Sequence, residues 1–417
     1  MSQTFIFPFL FGILFEQKII LIGQIAIGEI ISIIYLFFRL FNLKFTNFER
    51  QLLFFTFSIV AIQIISDIYN ATSIIKTLKG FSTYIVFSAT IIFLCRYLSS
   101  GSNFNKVIYF FLGTIFGKII IWYFFDFNYY FFSNPWKWGI ANSIIVGTYI
   151  FALKKEKDFS KFFIILFSIF IAYASLIYNS RALLLVYILS IGTYFIIYQS
   201  KNYGLKFFNK KSTFMLLPFM YVFITIIFGI IATNFNQIPK FSNSFEKMAQ
   251  KNMSEGQGDF GIVISSRSAV IGAFHAIKDK PFLGHGSYPE DKGMKYKMKQ
   301  FEFLYDYGYS SSIPSPAQVS HLYGRYIPAH SYLINSMVTG GIFAGIFWLF
   351  LTYFITKNYV TFANHLPFIF HYWIIHYFYA LFFSPWGSGS RLNLAIQLAI
   401  FILYLSSLKK DISNNEK

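Results

Sequence analysis

Long apolar runs separated by short polar connections fill almost the whole chain. A helix needs about 20 apolar residues to cross a hydrocarbon core roughly 30 Å thick. Eleven runs from Ile19 onward reach that length, and they centre near residues 29, 60, 89, 116, 146, 169, 191, 223, 342, 372 and 399. With a shorter twelfth candidate near the start, the pattern predicts an all-α integral membrane protein with 11 to 12 transmembrane helices.

The twelfth candidate runs from Phe5 to Phe15 and contains Pro8. Its length fits a half-span, a re-entrant piece or a helix lying on the membrane. No basic region precedes it and no small-residue cleavage site follows it. We therefore do not expect a signal peptide to be removed here.

One long polar segment, residues 234–329, interrupts the apolar pattern. It divides the chain into an N-terminal bundle of about eight or nine spans (residues 1–233), a large loop (234–329) and a C-terminal bundle of three spans (330–417). Cytoplasmic connections of membrane proteins are enriched in Lys and Arg, and such clusters occur around residues 39–50, 96–106, 154–161 and 201–211. With these clusters inside, the large loop is predicted to be extracytoplasmic and the C-terminal tail cytoplasmic.

The composition excludes an ordinary soluble domain. Of the 417 residues, 12% are charged and 56% are hydrophobic, and the mean hydropathy is +0.54, whereas soluble domains have about 25% charged residues. The net charge of +18 is spread singly between the spans, unlike the basic stripe of a nucleic-acid-binding protein. Membrane lipids are thus the expected surroundings, and no nucleic-acid partner is expected.

Ionisable residues inside spans need a partner, because each costs roughly 2.5 to 3.5 kcal/mol at the centre of a membrane helix. The five candidates are Glu29, Asp67, Lys118, His371 and His376. For Glu29 and Lys118, pairing inside the bundle and a functional role are both open. For the two histidines, we expect neutral, hydrogen-bonded side chains with a structural role.

Candidate chemistry gathers at the predicted outer face. Arg181 opens the apolar run after Asn179 and Ser180, and Arg267 falls on the first turn of a helix that Ser265 or Ser266 can cap and Pro281 ends. His330 lies where the chain re-enters the membrane. The Lys- and Tyr-rich stretch 291–309 suggests a mobile lobe.

Two further arginines, Arg325 and Arg391, face the same side, where they can contact either a substrate or solvent and lipid head groups. Arginine binds phosphate oxygens in pairs and stays charged. A histidine, with an ordinary pKa of about 6.5, can take a proton from an attacking hydroxyl. The sequence has no Asp-x-Asp motif and no cluster with metal-ligand spacing, so we expect a metal-independent enzyme without a cofactor.

Three short motifs resemble the O-antigen polymerase and O-antigen ligase superfamily. They are Ser180-Arg181-Ala182, the segment from Arg267 to Lys-Pro-Phe-Leu-Gly-His-Gly286, and His330-Ser331-Tyr332-Leu333 followed by Gly340-Gly341. The resemblance implies a bacterial inner-membrane enzyme with its site on the periplasmic side. It also implies that an oligosaccharide moves from undecaprenyl diphosphate to an acceptor sugar. Arg181 and Arg267 would bind the diphosphate and His330 would act on the acceptor; Ser331 stands where members often have asparagine.

Three functions remain open at this point. A polymerase would extend a lipid-linked glycan for O-antigen or capsule, with a chain-length regulator and a flippase of the same pathway as possible partners. A ligase would transfer the glycan to lipid A core or another acceptor. A glycan transporter or flippase would instead carry its functional ionisable residues through the middle of the bundle.

Overall fold

In this computed structural model, the structure describes residues 3–20, 23–39, 44–99, 105–124, 136, 141–153, 161–177, 180–202, 268–308, 313–323 and 325–415. These residues are mostly helical, as expected for an all-α membrane protein, with one short antiparallel hairpin, β1 (Lys18–Ile20) and β2 (Gln24–Ala26). The first helices are α1 (Gln3–Glu16), α2 (Ile27–Arg39), α3 (Asn47–Tyr69), α4 (Ile74–Ser99), α5 (Asn105–Phe124), α6 (Ala141–Leu153), α7 (Lys161–Ile177) and α8 (Arg181–Asn202). The later helices are α9 (Ala269–Asp279), α10 (Lys295–Asp306), α11 (Pro316–Tyr323), α12 (Tyr332–Gly340), α13 (Ile346–Phe362), α14 (Phe368–Phe383) and α15 (Ser388–Asn415).

Three of the described helices are long and apolar enough to cross a membrane, namely α3, α4 and the part of α15 from Ser388 to Asp411. Shorter apolar helices occur at Ile6–Glu16, Leu166–Ser175, Ala182–Ile197 and Phe368–Phe383. These helices support a membrane protein. The total of 11 to 12 spans and the extracytoplasmic loop stay predictions, and the run near residue 223 lies outside the described residues.

The run centred near residue 29 is not one continuous span. Residues 18–26 form the β1–β2 hairpin, and α2 follows it with only 13 residues. The Ile27 N–H donates to the Gln17 carbonyl at 2.7 Å, which closes the hairpin against the start of α2. Hydropathy alone could not separate these elements, because β-branched Ile residues such as Ile19 and Ile25 suit a strand as well as an apolar helix.

The run centred near residue 342 is also interrupted. Gly341 has φ +75° and separates α12 from a 3₁₀ turn, Ile342–Gly345, that leads into α13. A side chain at this glycine would place its Cβ 2.0 Å from the Phe282 carbonyl oxygen. The break therefore depends on a segment that is distant in sequence, and the local apolar pattern does not record it.

The short N-terminal run forms α1, which packs along α5. Glycine allows this close approach: a Cβ on Gly12 would lie 2.1 Å from the Phe110 carbonyl oxygen, and one on Gly113 would lie 2.0 Å from that of Phe9. Small residues facing each other are the usual basis of tight helix packing in membranes.

The N- and C-terminal parts of the chain share one hydrophobic core. Helix α4 packs against α2, α3 and α15, and α14 packs against α8. Phe87, Trp348 and Phe370 are fully buried in this core. The described helices before residue 203 and after residue 330 are thus packed together, which brings the start of α15 beside the first helices.

Candidate functional site

The candidate site is a cluster of polar contacts at one end of the bundle. We call this the polar end and define it by Glu29, Asp67, His330 and Arg391. Glu29 and Arg391 lie in the first turns of α2 and α15, Asp67 is in the last turn of α3, and His330 precedes α12. The contacts described next connect these positions to one another.

The Pro281–Gly286 turn is docked onto the break after α12. The N–H groups of His285 and Gly286 donate to the carbonyls of Val338 and Thr339 at 2.8 and 2.9 Å, and the Ile342 N–H donates to the Pro281 carbonyl at 2.7 Å. These bonds satisfy backbone groups at the helix break, which would otherwise be costly inside a packed region. The motif that carries the family resemblance therefore holds the segment from α9 onward against α12.

Asp67 anchors the same turn to α3. Its Oδ1 accepts from the Ser287 N–H at 2.5 Å, its Oδ2 accepts from the Ser287 hydroxyl at 2.7 Å, and the residue is 1% exposed. The neighbouring Asn70 amide donates to the Gly284 carbonyl at 3.2 Å and receives a bond from Lys280. The ionisable residue that the sequence placed in a span is therefore satisfied by the docked turn.

Replacing Gly341 with alanine is expected to lower the free energy of unfolding by about 2 kcal/mol or more, because strain and a steric clash combine. The new Cβ would collide with the Phe282 carbonyl, and φ would stay positive. Gly293 is the matched control: its φ is +67°, but nothing lies within 4 Å of a Cβ there. Thermal unfolding of both purified variants measures the difference, and equal losses would contradict a docked turn.

The stretch 291–309, expected to be a mobile lobe, contains a 3₁₀ turn and the helix α10 up to residue 306. Buried Asp291 accepts from the Tyr296 and Lys297 N–H groups at 3.0 and 2.9 Å, which holds the start of α10. The Tyr296 hydroxyl donates to the Asp279 carboxylate at 3.0 Å, and Lys295 pairs with the same carboxylate. Helix α10 is thus attached to the end of α9.

His285 lies between these elements. Its Nε2 is 2.9 Å from the Ala276 carbonyl oxygen, which can only accept, so Nε2 carries the proton. Partial burial lowers the pKa of His285 below its ordinary 6.5. The hydrogen bond to the Ala276 carbonyl raises this pKa, and the nearby Lys280 charge lowers it. The hydrogen bond from Lys295 is the main reason that the pKa of Asp279 lies below its ordinary 3.8.

Residues 269–306 are expected to loosen as the pH falls from 7.5 to 5. Because the pKa of His285 is lower in the folded protein, the unfolded segment binds more protons below about pH 6.5. The stability that His285 contributes is therefore complete above that pH and is lost as the pH falls through the pKa of the folded segment. The stability that Asp279 contributes is present above about pH 4 and is lost only below that pH, since its own pKa is depressed. Hydrogen-exchange protection of this segment, taken relative to the intrinsic exchange rate at each pH, measures the effect, and His285→Gln should remove most of it. Protection in the wild type that does not change with pH would contradict this.

His330 stands exposed immediately before α12. The next residue, Ser331, is fully buried and caps the helix: its hydroxyl accepts from the Ile334 N–H at 3.0 Å and donates to the Leu381 carbonyl at 2.6 Å. The helix therefore starts where the sequence predicted, with Ser331 rather than His330 as the cap. The backbone beside His330 is fixed to both α12 and α14.

Aromatic packing connects the start of α12 to the start of α15. The Tyr332 ring lies 5.0 Å from the Trp386 ring and 5.2 Å from the Trp348 ring, centroid to centroid. Trp386 lies just before α15, and the Arg391 N–H donates to the Gly387 carbonyl at 2.9 Å. His330, two residues before Tyr332, and Arg391 therefore lie on neighbouring parts of the polar end.

Arg391 is not an open surface arginine. Its Nε and Nη2 donate to the two carboxylate oxygens of Glu29 at 2.7 Å each, and the side chains are 7% and 1% exposed. Glu29 Oε2 also accepts from the Ala26 N–H at 2.9 Å. One of the two expectations for Arg391 was contact with solvent or lipid head groups. The structure instead places it in a buried ion pair that joins α15, α2 and β2.

Lys118 has its own partners within the bundle. Its ammonium donates to Asn393 Oδ1 at 2.5 Å and to the Ser143 hydroxyl at 3.1 Å, and it lies 3.5 Å from Glu16 Oε1. Pairing inside the bundle is therefore observed for both Glu29 and Lys118. The sequence identified these two residues but not their pairings, because the partners come from other helices.

The histidines of α14 lie in the core. Buried His371 contacts the Tyr359 hydroxyl through Nδ1 at 2.8 Å and the Leu366 carbonyl through Nε2 at 3.2 Å. The predicted structural, hydrogen-bonded role is confirmed for His371. The ring of His376 stacks on Tyr372.

Of the remaining predicted site residues, the structure describes Arg325, only the helix position of Arg181, and nothing of Arg267. Arg325 is exposed, and its carbonyl accepts from the Asp291 N–H at 2.7 Å. Arg181 is the first residue of α8, as predicted, after the buried Ser180; its side chain lies outside the described residues. Arg267 also lies outside them, so the grouping of Arg181 and Arg267 with His330 stays a prediction. Helix α9 begins at Ala269 with Ser268 at its N-cap position, so the predicted cap by Ser265 or Ser266, with Arg267 on the first turn, is wrong.

Two tyrosines at the polar end were not singled out from the sequence. The rings of Tyr288 and Tyr326 meet edge to face with their centroids 6.4 Å apart, and Tyr288 has φ +51°. Partial burial raises the pKa of Tyr288, and the nearby Arg391 guanidinium opposes this. The only sequence signal was the Tyr-rich composition of the loop.

Among the described residues, no group of three or more His, Cys, Asp or Glu side chains could hold a metal ion.

A family model described as O-antigen ligase matches residues 163–349. The matched part contains Arg181, Arg267, Arg325 and His330. No curated protein and no solved structure matches the chain significantly. The match supports the superfamily of O-antigen ligases and polymerases, which are membrane glycosyltransferases, and it does not distinguish ligase from polymerase.

Proposed function

We propose that the chain is a polymerase of lipid-linked oligosaccharide repeat units for O-antigen or capsule. It would transfer the glycan from undecaprenyl diphosphate to the acceptor sugar of another lipid-linked unit. One observation carries this proposal: within the matched segment, His330 is exposed on a helix start that Ser331 fixes at the polar end. An exposed, positioned histidine at a membrane surface suits chemistry between two lipid-linked substrates.

The reaction assigns one task to each residue. The acceptor hydroxyl oxygen attacks the anomeric carbon, and the bond from that carbon to the phosphate oxygen breaks. Undecaprenyl diphosphate leaves with the electron pair, and the hydroxyl proton passes to His330. Arg181 and Arg267 would bind the diphosphate, because bidentate arginine contacts stabilise the charge that develops on the leaving group. The reaction needs no cofactor and, in this proposal, no metal.

Arg325 and Arg391 would have different parts. Arg325 is exposed and free to approach a substrate phosphate or sugar. Arg391 already directs Nε and Nη2 at Glu29, so only Nη1 would remain for a substrate. We therefore assign Arg391 mainly to holding α15 against α2, with any substrate contact secondary.

A ligase is the second candidate, and the match to a family model described as O-antigen ligase favours it. The two reactions use the same donor and differ in the acceptor, lipid A core or another acceptor instead of a second lipid-linked unit. A transporter is less well supported, because Glu29, Asp67 and Lys118 each have protein partners. In each case we place the protein in the bacterial inner membrane with the polar end on the periplasmic side.

The experiment is a transfer assay with purified protein in proteoliposomes and one undecaprenyl-diphosphate-linked repeat unit. A polymerase is expected to produce a ladder of glycan lengths on a gel. Product that appears only after lipid A core is added would indicate a ligase instead. Absence of product with either acceptor would reject both enzymatic functions.

A further inference from the structure

Two exposed tyrosines form a pair at the polar end. Tyr288 is 43% exposed and Tyr326 is 52% exposed. Their ring centroids are 6.4 Å apart and the rings meet edge to face at 71°. His330 is four residues beyond Tyr326 on the same strand of chain. Large exposed rings at such a position offer an apolar contact surface to a ligand.

The backbone holds both rings in place. A β-bridge joins Glu290 to Tyr326. On either side of it, the Asp291 N–H donates to the Arg325 carbonyl at 2.7 Å and the Ile327 N–H donates to the Pro289 carbonyl at 3.0 Å. Side chains on paired segments keep a fixed separation. The pair is therefore preorganised, which reduces the ordering cost of binding.

Tyr288 adopts a backbone conformation that tyrosine rarely uses. Its φ of +51° lies in the left-handed region, which is unfavourable for a residue with a large side chain. Burial offers little compensation, because nearly half of the side chain is exposed. Strained residues of this kind concentrate at functional sites. The residue in this conformation is the one whose ring contacts Tyr326.

The border of the pair is polar and charged. Lys76 pairs with Glu290 at 2.8 Å, and its ammonium lies 5.9 Å from the centroid of the Tyr326 ring. Arg325 is exposed beside Tyr326. A pyranose ring has the matching chemistry, because its C–H face packs on an aromatic ring while its hydroxyl groups bond to charged and polar side chains at the edge.

We propose that Tyr288 and Tyr326 form a subsite that binds one pyranose ring of the glycan and places it beside His330. The identification of that glycan as a reaction substrate rests on the proposed function; the binding of a sugar does not. The subsite would act on affinity and specificity and would take no part in proton transfer. A tyrosine belt at the lipid head groups is the competing explanation, and it predicts no sugar contact.

The first experiment measures KM and kcat in the proteoliposome assay. Tyr326→Ala is expected to raise KM by roughly 3- to 10-fold with kcat little changed, the size of one lost aromatic contact. Tyr326→Phe should keep near wild-type KM. The matched control is Tyr353→Ala on α13, since Tyr353 is 63% exposed and has Lys357 5.6 Å from its ring centroid. Equal changes at Tyr326 and Tyr353 would overturn the subsite.

Tyr288→Gly separates strain from binding. Glycine adopts positive φ freely, so this variant should unfold at the wild-type temperature or above it. The subsite nevertheless predicts a raised KM, whereas a purely structural Tyr288 predicts lower stability with unchanged KM.

The second experiment does not depend on transfer. Saturation-transfer NMR uses the intact protein in nanodiscs and the delipidated, dephosphorylated repeat-unit oligosaccharide as the probe. Wild type and Tyr353→Ala should transfer saturation to the sugar C–H protons, and the Tyr288→Gly, Tyr326→Ala double variant should lose most of that signal. An unchanged signal in the double variant overturns the subsite. If the double variant loses the signal while the wild type shows no transfer reaction, the subsite is supported and the proposed enzyme is rejected.

Discussion

Replacing Glu29 with alanine is expected to destabilise the protein by about 3 to 5 kcal/mol, the cost of leaving one partner of a buried ion pair uncompensated. Arg391 would keep its charge in a place where its side chain is 7% exposed. The loss would extend to the hairpin, because Glu29 also accepts from the Ala26 N–H. Unfolding of the purified protein by heat or denaturant measures the change.

The Glu49–Arg96 pair is the matched control for this prediction. It has the same two-bond geometry, with distances of 2.9 and 2.6 Å, but the Arg96 side chain is 29% exposed. Solvent can therefore replace the lost carboxylate, and Glu49→Ala should cost clearly less. A double change of Glu29 and Arg391 to leucine should recover much of the lost stability, since apolar replacement of a whole buried pair is often neutral. A larger loss at Glu49 than at Glu29 would contradict the buried pair.

Replacing His330 with glutamine is expected to lower the transfer rate by roughly a hundred- to ten-thousand-fold, the usual contribution of a general base. Stability should hardly change, because the side chain is exposed and the helix cap belongs to Ser331. The initial rate of glycan transfer at saturating donor measures the effect, alongside the unfolding temperature.

His321→Gln provides the control for His330. His321 is also exposed, lies on α11 and falls within the matched segment. It should keep the wild-type rate. Comparable losses in the two variants, or near wild-type transfer by His330→Gln, would remove His330 from the reaction.

Local signals in the sequence predicted several boundaries well. Helix α9 ends at Asp279, directly ahead of Lys280 and Pro281, and α12 begins after Ser331. Both follow from local chemistry: proline disfavours helix in the residue before it, and a serine hydroxyl satisfies a free N–H at a helix start. The helix start at Arg181 was predicted from the onset of the apolar run after Asn179 and Ser180. The apolar composition likewise predicted the all-α membrane class.

Contacts between distant segments were beyond local patterns. The break at Gly341 exists because the Phe282 carbonyl occupies the space that a side chain would need. Arg391 resembled an interfacial arginine until Glu29 was placed opposite it. Each of these features depends on which helices pack together, and hydropathy does not determine that. The site roles that rest on the family resemblance, those of Arg181 and Arg267, stay predictions because the Arg181 side chain and Arg267 lie outside the described residues.

The central claim is that the polar end transfers a glycan chemically instead of moving it across the membrane. The most direct measurement is mass-spectrometric quantification of undecaprenyl diphosphate released by purified protein in proteoliposomes that contain the lipid-linked repeat unit. One released lipid for each new glycosidic bond, with release lost in His330→Gln, is the predicted result. Glycan that crosses the bilayer while still attached to its lipid, without any release, would contradict the claim.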